Sequence, residues 1–143
     1  MSSFRPELTP EVFNGRSRGH LPGLLGLQIL TMSAQAVESR LEVRKDHMAP
    51  NGFLHAATVI ALADTSCGYG CVAQLPQGAS GFTTLELKAN FLGTARDGAI
   101  VCRARPVHLG RSTQVWDAEV SVEGAQRRIA TFRCTQMVLW PAQ

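Results

Sequence analysis

The sequence predicts an α+β fold in which an antiparallel sheet of about six strands packs against one long apolar helix. Residues 53–72 are rich in Ala and Leu and apolar on nearly every side, which is typical of a helix enclosed by the rest of a fold. The segments on either side of it alternate apolar and polar residues with a period of two. Short turns join the later segments, and such turns favour antiparallel pairing.

The elements before the long helix are a short helix and two strands. Residues 7–18 fit an N-terminal helix, because Thr9 is a suitable cap and Pro10 suits the first helical position. Residues 27–32 and 36–44 are predicted as strands. In the second of these, apolar or small residues alternate with charged residues, which indicates that one face is in contact with solvent.

Four strands are predicted after the long helix, which ends before a turn at residues 76–78. They are expected at residues 84–91, 100–107, 112–122 and 127–139. Turn signals separate them at residues 96–98, 108–110 and 123–124. A sheet with so few strands cannot close on itself, so its edges need protection or a partner, and a dimer would supply one.

The chain of 143 residues is expected to form one domain, residues 1–143, with an N-terminal helical extension of about residues 1–22. Its net charge of +3 is mild and no block of Lys and Arg stands out, so nucleic acid is not an expected partner. The longest apolar run, residues 53–63, falls short of the roughly 20 residues of a membrane span. The N-terminus has no apolar core of a signal peptide, so a cytoplasmic protein without a membrane partner is expected.

The four cysteines are interpreted as small apolar residues of a reduced core. None of them forms a C-x-x-C pair, and no cluster has the spacing of zinc ligands, so no metal site is predicted. Cys67 and His55 could be imagined as a thiol nucleophile and its base. They point in unrelated directions from one helix and no third orienting group is visible, so this pairing is not favoured.

One carboxylate, Asp64, interrupts the long apolar segment, nine residues after His55. An unpaired ionised carboxylate is costly to bury, so Asp64 has either a structural partner or a chemical role. The structural alternatives are that it caps an interrupted helix or pairs with a buried arginine. His55 alone would more often be a core or cap residue, and Asn51 before Gly52 also fits an ordinary turn.

Two motifs resemble those of known thioesterases. The run Asn-Gly-x-x-His at residues 51–55, followed by Leu-Ala-Asp-Thr at residues 62–65, is similar to the signature of the phenylacetic-acid-degradation type acyl-CoA thioesterases. Residues 106–116 look like a hairpin of the related bacterial 4-hydroxybenzoyl-CoA and 1,4-dihydroxy-2-naphthoyl-CoA thioesterases. The resemblance begins near residue 24, reaches the C-terminus, and implies the hotdog fold, in which a sheet wraps around a long central helix.

The resemblance implies hydrolysis of an acyl-CoA thioester, with aromatic acyl groups among the expected substrates. Asp64 matches the carboxylate that acts as nucleophile or general base, and His55 matches the histidine before the central helix. Ala56 matches the residue whose backbone N–H polarises the thioester carbonyl. A helix N-terminus suits this role because its first N–H groups are unpaired. Coenzyme A is part of the substrate, so no separate cofactor is expected.

Three departures from the family pattern concern these positions. The family usually has His-Gly-Gly where this chain has His-Ala-Ala at residues 55–57. The backbone N–H of residue 56 is kept, but the added methyl groups narrow the approach of a thioester carbonyl to it. Asp64 stands where the hydroxybenzoyl and naphthoyl branch has glutamate, as in the phenylacetyl branch. Ala49 replaces a glutamine of the former branch, and Asn51 is a candidate to substitute for that glutamine in catalysis.

Further residues are candidates for contacts with the acyl group or coenzyme A. They are Thr65, Gly68, Thr83, His108, Gly110 and Arg111, with Thr84 as an alternative to Thr83. The threonines would supply hydroxyls, Gly68 would leave space for substrate, and Arg111 would meet the phosphates. The alternative interpretation is that the hairpin residues are solvated surface residues.

The spacing of His55 and Asp64 predicts a site shared between subunits. Nine residues are two and a half helical turns, so the two side chains leave opposite sides of the helix, roughly 13 Å apart along its axis. A homodimer, or a dimer of dimers, could place His55 of one subunit opposite Asp64 of another. Two other functions stay open, a non-catalytic acyl-CoA-binding hotdog module and a hotdog hydratase or dehydratase.

Overall fold

A six-stranded antiparallel sheet curls around one long helix in the computed structural model of the chain, which describes residues 3–142. The helices are α1 (Pro10–Ser17), α2 (Leu21–Leu25) and α3 (Ala56–Ala73), with a 3₁₀ turn at Lys45–His47. The strands are β1 (Gln28–Met32), β2 (Val37–Glu42), β3 (Gly81–Phe91), β4 (Ala99–Leu109), β5 (Thr113–Val122) and β6 (Arg128–Leu139). They lie in the order β1-β2-β4-β5-β6-β3, so β1 and β3 are the edges. The predicted α+β class and hotdog arrangement are confirmed.

Most predicted boundaries agree with the structure. The strands agree within three residues at each end. α1 is shorter than the predicted 7–18 and begins at Pro10, with Thr9 as the expected cap. α3 begins three residues later than predicted, because His55 takes the cap position. α2 is missing from the sequence-based prediction, since a Pro and a Gly within five residues disguise a helix.

Close packing against the inner face of the sheet sets the position of α3. Gly70 lies against the Trp116 ring, where an added Cβ would come within 2.5 Å of the ring. Gly68 lies against the ring of Phe82 in β3, and an added Cβ there would be 3.0 Å from Phe82 Cζ. Because interiors are densely packed, these two contacts decide which face of α3 meets the sheet.

The other face of α3 is uncovered, so the prediction that this helix is enclosed on all sides is wrong. Leu62 and Ala63 are fully buried. Four residues of the uncovered face are partly exposed: Ile60, Ala61, Asp64 and Thr65. Within residues 3–142, α3 is the one helix long and apolar enough to span a membrane, and 56% of it is buried in the fold, as in a core helix.

The helix α1 packs onto α3 and closes one edge of the sheet. The ring of Phe13 is fully buried and stacks on Tyr69, with ring centroids 4.6 Å apart. Asn14 Nδ2 donates to Ile29 O at 3.0 Å, and Asn14 Oδ1 accepts from Ile29 N at 2.8 Å. One side chain thereby takes the hydrogen bonds that a further strand would make with β1 at this point.

A bulge in β3 changes the face to which its residues point. Thr84 pairs with Gln136, whereas Glu86 pairs with Thr135, so the register shifts by one residue between them. Adjacent residues of β6 point to opposite faces of the sheet, so Thr84 faces α3 and Glu86 faces solvent. A simple period of two would have put Thr84 and Glu86 on the same face.

The Gly70→Ala variant should be destabilised by about 1–3 kcal/mol, because the added methyl overlaps the Trp116 ring. Gly15→Ala in α1 is the matched control, since nothing lies within 4 Å of its Cβ position. Alanine in place of glycine inside a helix stabilises by roughly 0.5–1 kcal/mol. Urea unfolding followed by circular dichroism measures both changes. Equal unfolding midpoints for Gly70→Ala and the wild type would contradict the close contact between α3 and the sheet.

Candidate active site

A histidine caps the start of α3. His55 Nδ1 accepts a hydrogen bond from the Ala57 N–H at 2.9 Å. A ring nitrogen that accepts carries no proton, so Nε2 is the donor of the neutral ring. The His55 side chain is exposed, and its Nε2–H is therefore available to a ligand. The cap alternative for His55 is confirmed, and it leaves the second ring nitrogen free for another role.

The N–H of Ala56 is a free donor at this helix end. The N–H groups of Thr58 and Val59 donate to His55 O at 3.0 and 3.4 Å. Within residues 3–142, no atom accepts a hydrogen bond from the Ala56 N–H, and Ala56 is exposed. This N–H and the partial positive charge of the helix end are suited to stabilise a developing oxyanion.

A second histidine, His47, forms hydrogen bonds that fix the backbone just before α3. Its buried ring accepts from the Arg44 N–H through Nδ1 at 2.9 Å, so Nε2 carries the proton and donates to Leu25 O at 2.8 Å. The His47 carbonyl oxygen accepts from the His55 N–H at 3.1 Å and from the Thr58 hydroxyl at 2.8 Å. Sequence analysis missed this role, because no motif or spacing marks His47.

Asp64 lies half-buried on the uncovered face of α3, with Thr65 beside it. In the described part of the chain its one hydrogen-bond partner is the Thr84 hydroxyl, 3.5 Å from Asp64 Oδ1. Burial raises the pKa of the Asp64 carboxyl above its ordinary value, and donation of the Thr84 proton to the carboxylate would act in the opposite direction. Over residues 3–142 Asp64 makes no ion pair and caps no helix, which removes both structural alternatives.

One chain does not bring His55 and Asp64 together. Ala56–Ala73 is a continuous helix, so the cap and the carboxylate are nine residues apart on one straight element. Their side chains leave opposite sides of α3, roughly 13 Å apart along its axis. Within a chain, the structure therefore contains two half-sites, an N–H donor end and a carboxylate.

Two of the predicted substrate contacts do not face Asp64 of their own chain. Thr83 pairs with Met137 on the solvent face of the sheet, because the bulge turns Thr84 and not Thr83 towards α3. Gly68 leaves no free space for substrate, since the Phe82 ring fills the side where its Cβ would lie.

Asn51 serves the turn before α3. Its Oδ1 accepts from the Phe53 N–H at 3.2 Å, and the following Gly52 has a φ of +86°. A side-chain oxygen that bonds the backbone two residues on is typical of Asn in turns. The structure thus shows the turn interpretation of Asn51, and its catalytic role stays a prediction.

The β4–β5 hairpin lies at the other end of α3 from its N-terminus. It contains three candidate contacts: His108, Gly110 and Arg111. Gln114 Nε2 donates to Gln74 O at 2.9 Å, and Gln74 follows Asp64 by ten residues, about 15 Å along the helix axis. The exposed Arg111 guanidinium stacks on the Trp140 ring, 4.6 Å from its centroid. These residues do not contact Asp64 of their own chain.

The thiol alternative is removed by the surroundings of Cys67. This residue is fully buried, and burial raises the pKa of its thiol well above the ordinary value. His55 lies at the exposed start of the same helix, twelve residues or about 18 Å along the axis from Cys67. A buried thiol whose pKa is raised well above the ordinary value is protonated at neutral pH and is not a nucleophile.

Asp64→Asn should raise the melting temperature at pH 7 by a few degrees. The folded carboxyl has a pKa above the ordinary 3.8, so the unfolded chain loses this proton first as the pH rises. Wild-type stability therefore falls as the pH rises from about 3.8 through the folded pKa, and the asparagine variant escapes this loss. Thermal unfolding between pH 4 and 8 measures the difference. A difference that grows towards low pH would contradict the raised pKa.

Comparison with known proteins agrees with this geometry. Residues 51–129 match the model of the thioesterase superfamily. The 1,4-dihydroxy-2-naphthoyl-CoA hydrolase of Escherichia coli is 27% identical over 95% of this chain and 98% of its own length. The proofreading thioesterase EntH of Klebsiella pneumoniae is 29% identical over 96% and 98%. A crystal structure of a variant of thioesterase PA1618 from Pseudomonas aeruginosa superposes with a TM-score of 0.90 at 26% identity, covering 96% of this chain and 99% of that one.

The match to the family model includes the cap of α3, the carboxylate on its uncovered face and three of the six strands in full, β3, β4 and β5. The chain belongs to the thioesterase superfamily, and its reaction is the hydrolysis of a thioester.

Proposed function

We propose that the protein hydrolyses acyl-CoA thioesters and that Asp64 is its catalytic carboxylate. The observation that carries this proposal is a half-buried carboxylate that has no cationic partner among the described residues. Asp64 either attacks the carbonyl carbon or takes a proton from a water that attacks it. If water attacks, the C–S bond breaks, coenzyme A leaves as a thiol, and the acyl group leaves as a free acid. If Asp64 attacks, the same bond breaks and the acyl group is left on Asp64 as a mixed anhydride, which a water then hydrolyses to the free acid and the Asp64 carboxylate.

The names of the relatives favour this substrate class and reaction. Two of them are called a naphthoyl-CoA hydrolase and a proofreading thioesterase. A module that only binds acyl-CoA has no use for a carboxylate with a raised pKa, and a hydratase would use a different motif. Hydrolysis is therefore preferred over both alternatives.

The electrophilic half of the site would be the start of α3. The free Ala56 N–H and the Nε2–H of His55 are the two donors available to the thioester oxygen. The methyl groups of Ala56 and Ala57 make the approach narrower than the glycines of the family would. The developing negative charge would be stabilised here by preorganised donors.

A homodimer formed through the free edge of β3 would join the two half-sites. This edge carries three exposed apolar side chains: Leu85, Leu87 and Phe91. Antiparallel pairing about the middle of β3 puts Gly81 of one chain opposite Phe91 of the other. Phe91 lines a cavity together with Ala56, and Thr84 contacts Asp64. The pairing therefore brings the start of α3 in one subunit towards Asp64 of the other.

The acyl group would lie in the apolar cavity beside the start of α3. This cavity has a volume of about 400 Å³, and Phe53, Val59 and Phe91 are among its lining residues. Two aromatic rings in its wall favour an aromatic acyl group. Arg111, at the end of the sheet where β3 begins, is the candidate contact for the coenzyme A phosphates.

The protein would work in the cytoplasm as a dimer of dimers. The outer face of the sheet exposes Val107, Met137 and Leu139 by 53%, 40% and 39%. Neighbouring apolar side chains on one sheet face favour burial against a second copy of that face. This contact would leave the free edge of β3 for the first dimer contact.

Asp64→Asn should lower kcat against the best acyl-CoA by at least about a hundredfold, because it keeps the shape and removes the charge. Thiol release from a panel of aliphatic and aromatic acyl-CoAs measures the loss. The variant must remain folded, which circular dichroism checks. Turnover near the wild-type rate would exclude a mechanism that uses the Asp64 carboxylate.

A mixture of His55→Ala and Asp64→Ala chains, unfolded and refolded together, should recover about a quarter of the wild-type sites. Half of the dimers are then mixed, and each mixed dimer has one intact site. The control is each variant refolded alone, which should stay inactive. Mixed dimers isolated with two different tags and found inactive would mean that His55 and Asp64 act within one chain.

A further inference from the structure

The hydroxyl beside Asp64 has two possible acceptors and one proton. Thr84 Oγ1 lies 2.8 Å from Gln136 Oε1 and 3.5 Å from Asp64 Oδ1. A threonine hydroxyl can donate one hydrogen bond at a time. The shorter distance assigns that proton to Gln136. The lone pairs of Thr84 Oγ1 therefore face Asp64.

Among residues 3–142, Thr84 is the one donor to the side-chain oxygen of Gln136. Its side chain is fully buried, with 0% exposure, so water does not reach it. Its Nε2 contacts Cys134 Sγ at 3.4 Å, which orients the amide oxygen towards Thr84. A buried amide oxygen that loses its donor is costly, so Gln136 holds the Thr84 proton against the competition of Asp64.

Few other groups act on the Asp64 carboxyl. The sheet elements packed against α3 contribute the buried thiols of Cys102 and Cys134, and α3 contributes Cys67. None of these is charged when the thiol is protonated. Among the described residues no Lys, Arg or His contributes to the titration of Asp64, and Thr84 supplies the one hydroxyl within hydrogen-bond distance of it.

We propose that Gln136 is a positioning residue that acts on Asp64 through Thr84, by withholding the Thr84 proton from the carboxylate. The inference rests on the proposed catalytic role of Asp64. While the Thr84 hydroxyl donates to Gln136, it does not donate to the Asp64 carboxylate. The carboxylate is therefore a stronger base than it would be with a hydrogen bond from Thr84. A stronger base is better suited to activate water or to attack a carbonyl.

The test measures the titration of the Asp64 carboxyl directly. The chain has four aspartates, so carboxyl ¹³C labelling of aspartate gives four NMR signals, and Asp64→Asn assigns the one of interest. Gln136→Met removes the acceptor and frees the Thr84 proton for Asp64, so the carboxyl should titrate at a lower pH than in the wild type. Thr84→Val removes the hydroxyl, and because the wild-type Thr84 offers Asp64 lone pairs instead of a proton, the carboxyl should titrate at a pH no higher than in the wild type. The double variant should titrate like Thr84→Val alone, because Gln136 has no route to Asp64 without Thr84.

Gln114→Met is the matched control. Gln114 is the fully buried cross-strand neighbour of Gln136, and it bonds Gln74 O and Trp116 Nε1 instead of the Thr84–Asp64 pair. It should lose stability and leave the Asp64 titration unchanged. If Gln136→Met fails to fold, Gln136→Asn withdraws the amide from Thr84 by one methylene and should move the titration in the same direction.

The pH profile of kcat/KM should follow the titration. On the acid limb, Gln136→Met should retain at least about a threefold larger fraction of its maximal kcat/KM than the wild type does. If the Asp64 carboxyl of folded Gln136→Met titrates at the same pH as in the wild type, or at a higher pH, the proposal is overturned. The wild-type Gln136 amide would then have no effect on Thr84, or would donate a hydrogen bond to it. The NMR titration needs no substrate, so a wild type that cleaves no acyl-CoA would instead overturn the proposed function.

Discussion

The contact between α3 and the inner face of the sheet is the constraint on which the rest of the structure depends. Two glycines let the helix approach the rings of Trp116 and Phe82, and this approach fixes its rotation. Successive residues of a helix differ by about 100°, so an error of one position would turn Asp64 into the core. The packing that stabilises the domain therefore also places Asp64, the one carboxylate of α3, on the uncovered face of that helix.

That carboxylate makes the folded chain less stable than it could be. Burial disfavours the charge of Asp64, and no cation among the described residues compensates for this effect. Groups with strongly disfavoured charge are concentrated where a protein uses them, because selection keeps the function and tolerates the loss of stability. At the start of α3 the situation is similar, because one backbone N–H is left without an acceptor in the described residues.

Much of the fold could be predicted from the sequence, because it depends on local patterns. The period of two located the strands within three residues, and Asp64 was evident as the one acid in a long apolar segment. The choice between Thr83 and Thr84 could not be made, because the period of two continues unbroken through the bulge in β3. The use of Gly68 also depends on a tertiary contact, since the ring that fills its side comes from a distant strand. The proposed role of Gln136 could not be predicted from the sequence, because a buried amide acts through tertiary contacts that no local pattern marks.

The two edges of the sheet differ in one respect that affects the whole population of molecules. Asn14 occupies the backbone groups of Ile29 on β1, while β3 has eleven residues with a free edge. If both edges were free, sheets could add end to end without limit, and the product would be a fibre. With one edge blocked, a molecule that has used its free edge has no second edge to which a third sheet could add. A single side chain in the N-terminal helix thus acts as a stop against open-ended aggregation.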